Sequence, residues 1–318
     1  MPSKYLGMIE PFCRDSGSGE WRVVRGLSAF AKAGVYQFLL RRRVGEDDYA
    51  AEYNRASSTY HRWVERMGKH AARIVDFGLL PVQNGPSRIL DLAAGTGFLS
   101  RRIVKEWDRQ ERGDLLLEAV DVSEKMLAVL REHCTDSRLA TICQDAVSFL
   151  EQSDVAYDAI FFGWALPYFE RRRVLSAIAN RLKTGGTVHC ICNSEGTLSG
   201  LQEIFVDVLV EHPKMLAKVP PMTFQLPAGA AGLSRWFQEV GLRALETGEG
   251  EEIVIFECAA ELLRWLRESG ALVGTGGMFR NAAEVEPFLI ERVEKRMKRK
   301  GGYGINHRFA HGIFRKDA

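Results

Sequence analysis

The run Ile89-Leu-Asp91-Leu-Ala-Ala-Gly95-Thr-Gly97-Phe-Leu-Ser100 constrains the fold more than any other stretch of the chain. An apolar strand ends in an acid, a loop of small residues follows, and an amphipathic helix opens directly after it. Glycine in such a loop lets backbone approach a ligand with no Cβ between them, and the start of the next helix offers free N–H groups. Taken alone the turn is ambiguous, because similar loops occur as packing features and in dinucleotide enzymes.

The context of the loop narrows the choice. From Arg88 to Cys192 short β-rich runs alternate with amphipathic stretches: Arg88–Leu92 then Leu99–Arg109, Leu115–Val120 then Glu124–Cys134, Ala140–Cys143 then a short helix to Glu151, Tyr157–Phe162 then Arg172–Leu182, and finally Thr187–Cys192. This alternation predicts a parallel sheet with helices on both faces. Before it, Ser16–Gly19 is a Gly/Ser arm, and Gly26–Arg43 and Asp47–Phe77 carry helical periodicity ended by Pro81–Pro86, so residues 1–80 form an arm and a helical lid and 81–318 the main domain. After Asn193 the rhythm breaks at about 200–235, where helices near Leu201–Glu211 and Ala231–Val240 flank a Pro-containing loop, an insertion after the fifth strand. Two late β-rich runs, Leu242–Phe256 and Asn306–Arg315, bracket helices at Ala259–Ser269 and Ala283–Arg299 and predict a seven-stranded sheet closed by an antiparallel edge pair.

Composition excludes several classes. A net charge of +2 over 318 residues is far too small for a dedicated nucleic-acid binder, and the basic stretch Arg292–Lys300 is interleaved with Glu294 as on a solvated helix face. No apolar run approaches a membrane span, and Met1–Gly19 lacks the pattern of a secretory signal. Six cysteines without a C-x-x-C pair fit reduced thiols, and a cytoplasmic location is expected. Cys190 and Cys192 share one face of a strand and read as packing rather than as metal ligands.

Asp91-x-x-x-Gly95-x-Gly97 resembles motif I of class I S-adenosylmethionine-dependent methyltransferases rather than a dinucleotide fingerprint, whose pyrophosphate Asp91 would repel. Ala93 stands where that family usually has the first glycine, which implies a modest rearrangement or a tighter pocket. One βαβ unit later, Glu118-Ala-Val-Asp121-Val-Ser-Glu-Lys-Met126 matches the second motif, whose acid accepts the ribose hydroxyls, and Cys143-Gln-Asp145-Ala146 is similar to the segment that meets adenine. The resemblance implies a Rossmann-like methyltransferase sheet with S-adenosylmethionine as cofactor, held by Asp91, Ala93, Ala94, Gly95, Gly97, Asp121, Val122, Met126, Asp145, Ala146, Phe162, Gly163 and Trp164. It is firm over Arg88–Asn193. It extends more loosely to Ile253–Gly270, which looks like the late strand and helix of methyltransferases related to those of biotin and quinone pathways, and to Tyr53, Tyr60 and Trp63, similar to a lid that closes over cofactor and substrate.

The segment Tyr157–Phe169 resembles motif IV and decides the subclass. Gly163-Trp164-Ala165-Leu166 replaces the [DNS]-P-P-[YFW] of base methyltransferases, and no metal ligands of the catechol type are present there. The implied acceptor is a small molecule in biosynthesis or secondary metabolism, and no membrane partner is implied. Tyr168 is the candidate catalytic residue, because an aromatic face beside a sulfonium attracts it. His189, His307 and His311 are candidates only through their titration range. In-line methyl transfer needs proximity more than acid–base groups, so the lack of a dyad is no objection. Two alternatives stay open: a cyclase or lyase that consumes the cofactor and releases methylthioadenosine, as azetidine-2-carboxylate synthases do, and an RNA methyltransferase.

Overall fold

The computed structural model describes residues 46–78, 85–215, 217, 225–273 and 279–317. The helix expected over Gly26–Arg43, the Ser16–Gly19 arm and part of the Pro-containing loop lie outside them. In chain order the elements are α1 (Glu46–Ala56), α2 (His61–Ala71), β1 (Ser87–Leu92), α3 (Phe98–Arg109), β2 (Leu115–Asp121), α4 (Glu124–His133), β3 (Leu139–Cys143), α5 (Ala146–Gln152), β4 (Tyr157–Gly163), α6 (Arg171–Arg181) and β5 (Leu182–Asn193). There follow α7 (Leu201–Glu211), α8 (Gly229–Gln238), β6 (Leu242–Phe256), α9 (Ala259–Glu268), α10 (Ala282–Arg296), β7 (Lys298–Arg299) and β8 (Gly302–Lys316).

The strands form one sheet in the order β3-β2-β1-β4-β5-β8-β6, with the two-residue β7 paired to β8. β1 runs parallel to both β2 and β4, with Asp91 opposite Ala119 on one side and Phe161 on the other. The connections leave β1 and β4 in opposite directions, so the crevice of the sheet opens at the carboxyl ends of these two strands. β8 is antiparallel to β5 and to β6. The expected antiparallel edge pair is therefore present in altered form. β8 inserts between β5 and β6, and β6 takes the edge, because the two helices between β6 and β8 carry the chain back over the sheet.

Alternation along the strands splits the core into two layers. Ile89, Phe161 and Ile191 face α2, α3, α7, α9 and α10, whereas Leu90, Phe162, Cys190 and Cys192 face α5, α6 and α8. The period-2 rule puts Asp91 on the same face as Ile89, under the N-terminal helices. Helix α2 buries Trp63, Met67 and Ala71 at four-residue steps, and α3 buries Leu99, Ile103 and Trp107 in the same way. Burying a large apolar side chain contributes about 1.5–3 kcal/mol, so these stripes fix both helices on the sheet. A Cβ on Gly68 would meet Phe98 Cε2 at 2.9 Å, which is how α2 and α3 come so close.

The continuous helical reading of Asp47–Phe77 is corrected by a break at Ser57–Tyr60. There Thr59 Oγ1 donates to the Glu268 carbonyl at 2.7 Å, tying the bend to the end of α9. α1 is held at the other side by Asn54, whose Oδ1 accepts Ser123 Oγ at 2.7 Å just beyond β2.

Candidate functional site

The glycine loop takes its shape from three left-handed residues, Ala93 (φ 56°), Gly95 (φ 54°) and Gly97 (φ 74°). Ala93 adopts the backbone that a glycine would occupy freely, at a cost of roughly 1–2 kcal/mol for a residue with a Cβ. Gly95 N donates to Asp121 Oδ2 at 2.8 Å, and Ser123 N donates to Oδ1 of the same carboxylate at 2.8 Å. A Cβ on Gly95 would meet nothing within 4 Å, whereas one on Gly97 would meet Leu130 Cδ1 at 2.0 Å. The two glycines therefore do different work: Gly95 faces open space and Gly97 packs the loop against α4.

Asp91 is 1% exposed and accepts Ser100 Oγ at 2.5 Å. Burial pushes its carboxyl up to about 7, against the lowering effect of that hydrogen bond. A carboxyl in this condition gains from a positive group placed beside it. Burial also raises Asp121 above the usual carboxylate range, opposed by the N–H groups of Ser123 and Gly95. Asp145 caps α5 by accepting Ser148 N at 2.7 Å, with Ala146 buried behind it. Met126 is buried in the first turn of α4, while Val122 is 48% exposed at the end of β2.

Two cavities lie at the crevice. The first runs along the glycine loop and is lined by Asp91, Ala93, Gly95 and Gly163 among others. The second is lined by Tyr53, Tyr168, Asn193, Gly270 and His307 among others. Tyr60, Trp63 and Trp164 border both. Trp164 is left-handed (φ 64°) and its N donates to the Ile191 carbonyl at 2.6 Å, a backbone strain of the kind that clusters at functional sites. Phe162 is wholly buried on the opposite face of the sheet, against Phe169, so only its backbone reaches the crevice.

Tyr168 stands in an aromatic group with Tyr49 at 5.5 Å and Tyr53 at 5.8 Å between ring centroids, and it shares a hydrogen bond with Tyr53. Tyr53 in turn meets Tyr60 at 6.2 Å. Gly270, with φ 75°, backs this group, since a Cβ there would touch Tyr60 at 3.4 Å and Tyr53 at 3.5 Å. Burial pushes the phenols of Tyr53, Tyr60 and Tyr168 upward, so all three stay protonated near neutrality.

The two acids that end β1 and β2, the loop between them and the helix start are joined by hydrogen bonds into one unit, and residues 89–186, which contain it, match the family model for a methyltransferase domain. Residues 89–186 are a class I methyltransferase domain. The cofactor of that family is S-adenosylmethionine. The methyltransferase domain is similar to curated proteins: the biotin biosynthesis bifunctional protein BioHC of Cellvibrio japonicus is 25% identical over 226 residues, covering 70% of this chain and 40% of that one. The malonyl-acyl-carrier protein O-methyltransferase of Methylococcus capsulatus is 31% identical over 118 residues, covering 37% of this chain and 41% of that one. The chain thus spans about two fifths of the length of these relatives. Among solved structures, the YcgJ protein of Bacillus subtilis shares the fold, with a TM-score of 0.52, 14% identity, and coverage of 79% of this chain and 99% of that one.

Of the histidines read from the sequence, His189 is structural: its Nδ1 bonds the Ile74 carbonyl at 2.7 Å and its Nε2 the Thr187 hydroxyl at 2.9 Å. His311 is half-buried beside Phe309 and lines neither cavity. Sequence reasoning missed Asn193, Ser269, Gly270 and Ala271 in the second cavity. They arrive from the end of β5 and the turn after α9, far apart in the chain. No metal-holding cluster of His, Cys, Asp and Glu occurs among the described residues.

Proposed function

We propose that this chain methylates a small molecule with S-adenosylmethionine, in biosynthesis or secondary metabolism, as a cytoplasmic enzyme. The observation that carries the reading is the pair of cavities sharing Tyr60, Trp63 and Trp164, one against the glycine loop and one beyond it. That is the arrangement a two-substrate transfer requires. Among the described residues no helix is long and apolar enough to cross a membrane, and the five described cysteines are free thiols, in keeping with a reducing compartment.

The residues fit the cofactor. The cleft beside Gly95 has room where a Cβ would point, and Asp91 is a buried carboxyl suited to a nearby ammonium. Asp91, Ala93, Ala94, Gly95 and Gly97 would hold the amino-acid end, Asp121 the ribose hydroxyls, and Val122, Met126, Asp145 and Ala146 the adenine. The bound cofactor supplies a methyl group activated by positive sulfur. Phe162, Gly163 and Trp164 form the strand end next to the transfer, and the hydroxyl-linked Tyr53 and Tyr168 exclude water and present π-faces to a cation. The tyrosines' role is to align and enclose rather than to move protons.

The test is product analysis after incubation with S-adenosylmethionine, alone and with panels of small phenols, amines and carboxylic acids and with bulk transfer RNA. The reading expects S-adenosylhomocysteine to accumulate with a small acceptor only. Methylthioadenosine formed without acceptor would replace it with the cyclase or lyase reading, and label entering RNA with the RNA reading.

A further inference from the structure

The second cavity carries polar atoms that nothing among the described residues satisfies. Both ring nitrogens of His307, Oδ1 of Asn193 and Nε1 of Trp63 are buried without a hydrogen-bond partner. All three residues line this one cavity. A buried donor or acceptor left without a partner loses its hydration with nothing in return, so a cluster of them in one wall is poorly explained by packing. The fold shows what it does with a histidine that is only structural, since His189, equally buried, has both nitrogens bonded. His307 is 0% exposed and instead stands edge-on between Trp63 at 4.9 Å and Trp265 at 5.7 Å, in β8 where it faces the crevice.

The chemistry of the wall selects its occupant. Among the described residues that line it, none is Lys, Arg, Asp or Glu. Burial drives His307 down to about 4 with Glu252 opposing, so the ring is neutral and offers one donor and one acceptor. A carboxylate or phosphate would lie here without countercharge, and an ammonium without a carboxylate. A flat neutral ring matches the aromatic faces of Trp63, Trp164, Tyr60 and Tyr168 that line the cavity.

We propose that the second cavity binds a small neutral ring compound bearing a hydroxyl group, with His307 and Asn193 as its hydrogen-bonding partners. This rests on the reading of the domain as a methyltransferase, for which the compound is the acceptor. The neutral hydroxyl donates to Asn193 Oδ1, and its oxygen accepts from the N–H of the His307 ring.

Calorimetric titration of phenol, benzoate and benzylamine into the full chain saturated with S-adenosylhomocysteine tests the inference by binding rather than by turnover. Phenol is expected to bind at least tenfold more tightly than the other two. His307→Leu is expected to weaken phenol tenfold or more while leaving S-adenosylhomocysteine affinity unchanged, and His307→Gln to restore part of the loss. If His307→Leu does not fold, as read from its melting curve, Asn193→Ala carries the same expectation with a severalfold loss. Equal or tighter binding of benzoate or benzylamine, or unchanged phenol affinity in the folded variant, overturns the inference. Failure of the wild type to bind S-adenosylhomocysteine would strike the methyltransferase reading instead, and the phenol titration of the unliganded protein would still decide this one.

Discussion

The Asp121 carboxylate accepts the Gly95 N–H at 2.8 Å, so the acid that ends β2 and the loop that follows β1 are a single hydrogen-bonded unit. Removing the carboxylate therefore has two expected effects, loss of the proposed partner of the ribose hydroxyls and release of the loop. Asp121→Ala is expected to weaken cofactor binding by about 1.5–3 kcal/mol, the range for hydrogen bonds to a charged group. Asp121→Asn, whose amide oxygen can keep the Gly95 bond, should lose less. Calorimetric titration measures both, and equal losses would separate the loop from the ribose role.

Gly95 and Gly97 should respond differently to alanine. Gly97→Ala places a Cβ 2.0 Å from Leu130 Cδ1 in a left-handed residue and is expected to destabilise the fold by about 2–4 kcal/mol. Gly95→Ala meets no atom and should cost about 1–2 kcal/mol of backbone strain. Denaturant melts of the two variants compare them directly. Equal stability would mean that Leu130 moves aside freely.

Asp91 gives the pH dependence. Its carboxyl stands at about 7 in the fold against 3.8 when unperturbed, so the folded state holds a proton that the unfolded chain has released. The stabilisation is full below pH 3.8 and is lost as pH rises through about 7, worth up to roughly 4 kcal/mol. His189, lowered by burial to about 4, works the other way: its contribution is full above 6.5 and is lost as pH falls toward 4. The comparison must therefore be wild type against Asp91→Asn, which should be more stable at pH 8 and show a flatter difference at pH 4. Titration in two buffers of different ionisation enthalpy should also show proton release when the cofactor binds near pH 7. No release would place Asp91 away from the ligand's charge.

Tyr168 lines the second cavity and is hydrogen-bonded to Tyr53, so its ring and its hydroxyl can be tested apart. Tyr168→Phe keeps the π-face and loses the link to Tyr53, whereas Tyr168→Leu loses both. Loss of turnover in Leu alone assigns the role to the ring. Loss in both assigns it to the hydroxyl that orients Tyr53. Wild-type turnover in both at saturating cofactor would return Tyr168 to packing, because a group at the reacting centre alters transition-state stabilisation.

The sheet and the placement of the acids proposed to hold the cofactor were legible because they are local. Each of Asp91, Asp121 and Asp145 ends a strand or caps the next helix, so a short window holds both the signal and the position it occupies. The strand order β5-β8-β6 was not legible, because nothing in Leu242–Phe256 or Gly302–Lys316 says which of two antiparallel partners lies inside. The second cavity was hidden for a related reason. Asn193, Gly270 and His307 come together only when β5, the turn after α9 and β8 converge beside α1 and α2. Phe162 illustrates the period-2 rule at its sharpest, since one step along β4 separates a core ring from the residue beside the crevice.

The most direct test of the central claim is calorimetric titration of S-adenosylmethionine into the wild-type chain and into Gly95→Val. A Cβ on Gly95 would meet no atom of the chain within 4 Å, and the proposed binding mode puts the cofactor in that space. The account predicts saturable one-to-one binding by wild type and none measurable by the variant, with circular dichroism showing the fold retained. Equal affinity in the two proteins would contradict it, because the loop would then be a packing turn and the cofactor would lie elsewhere.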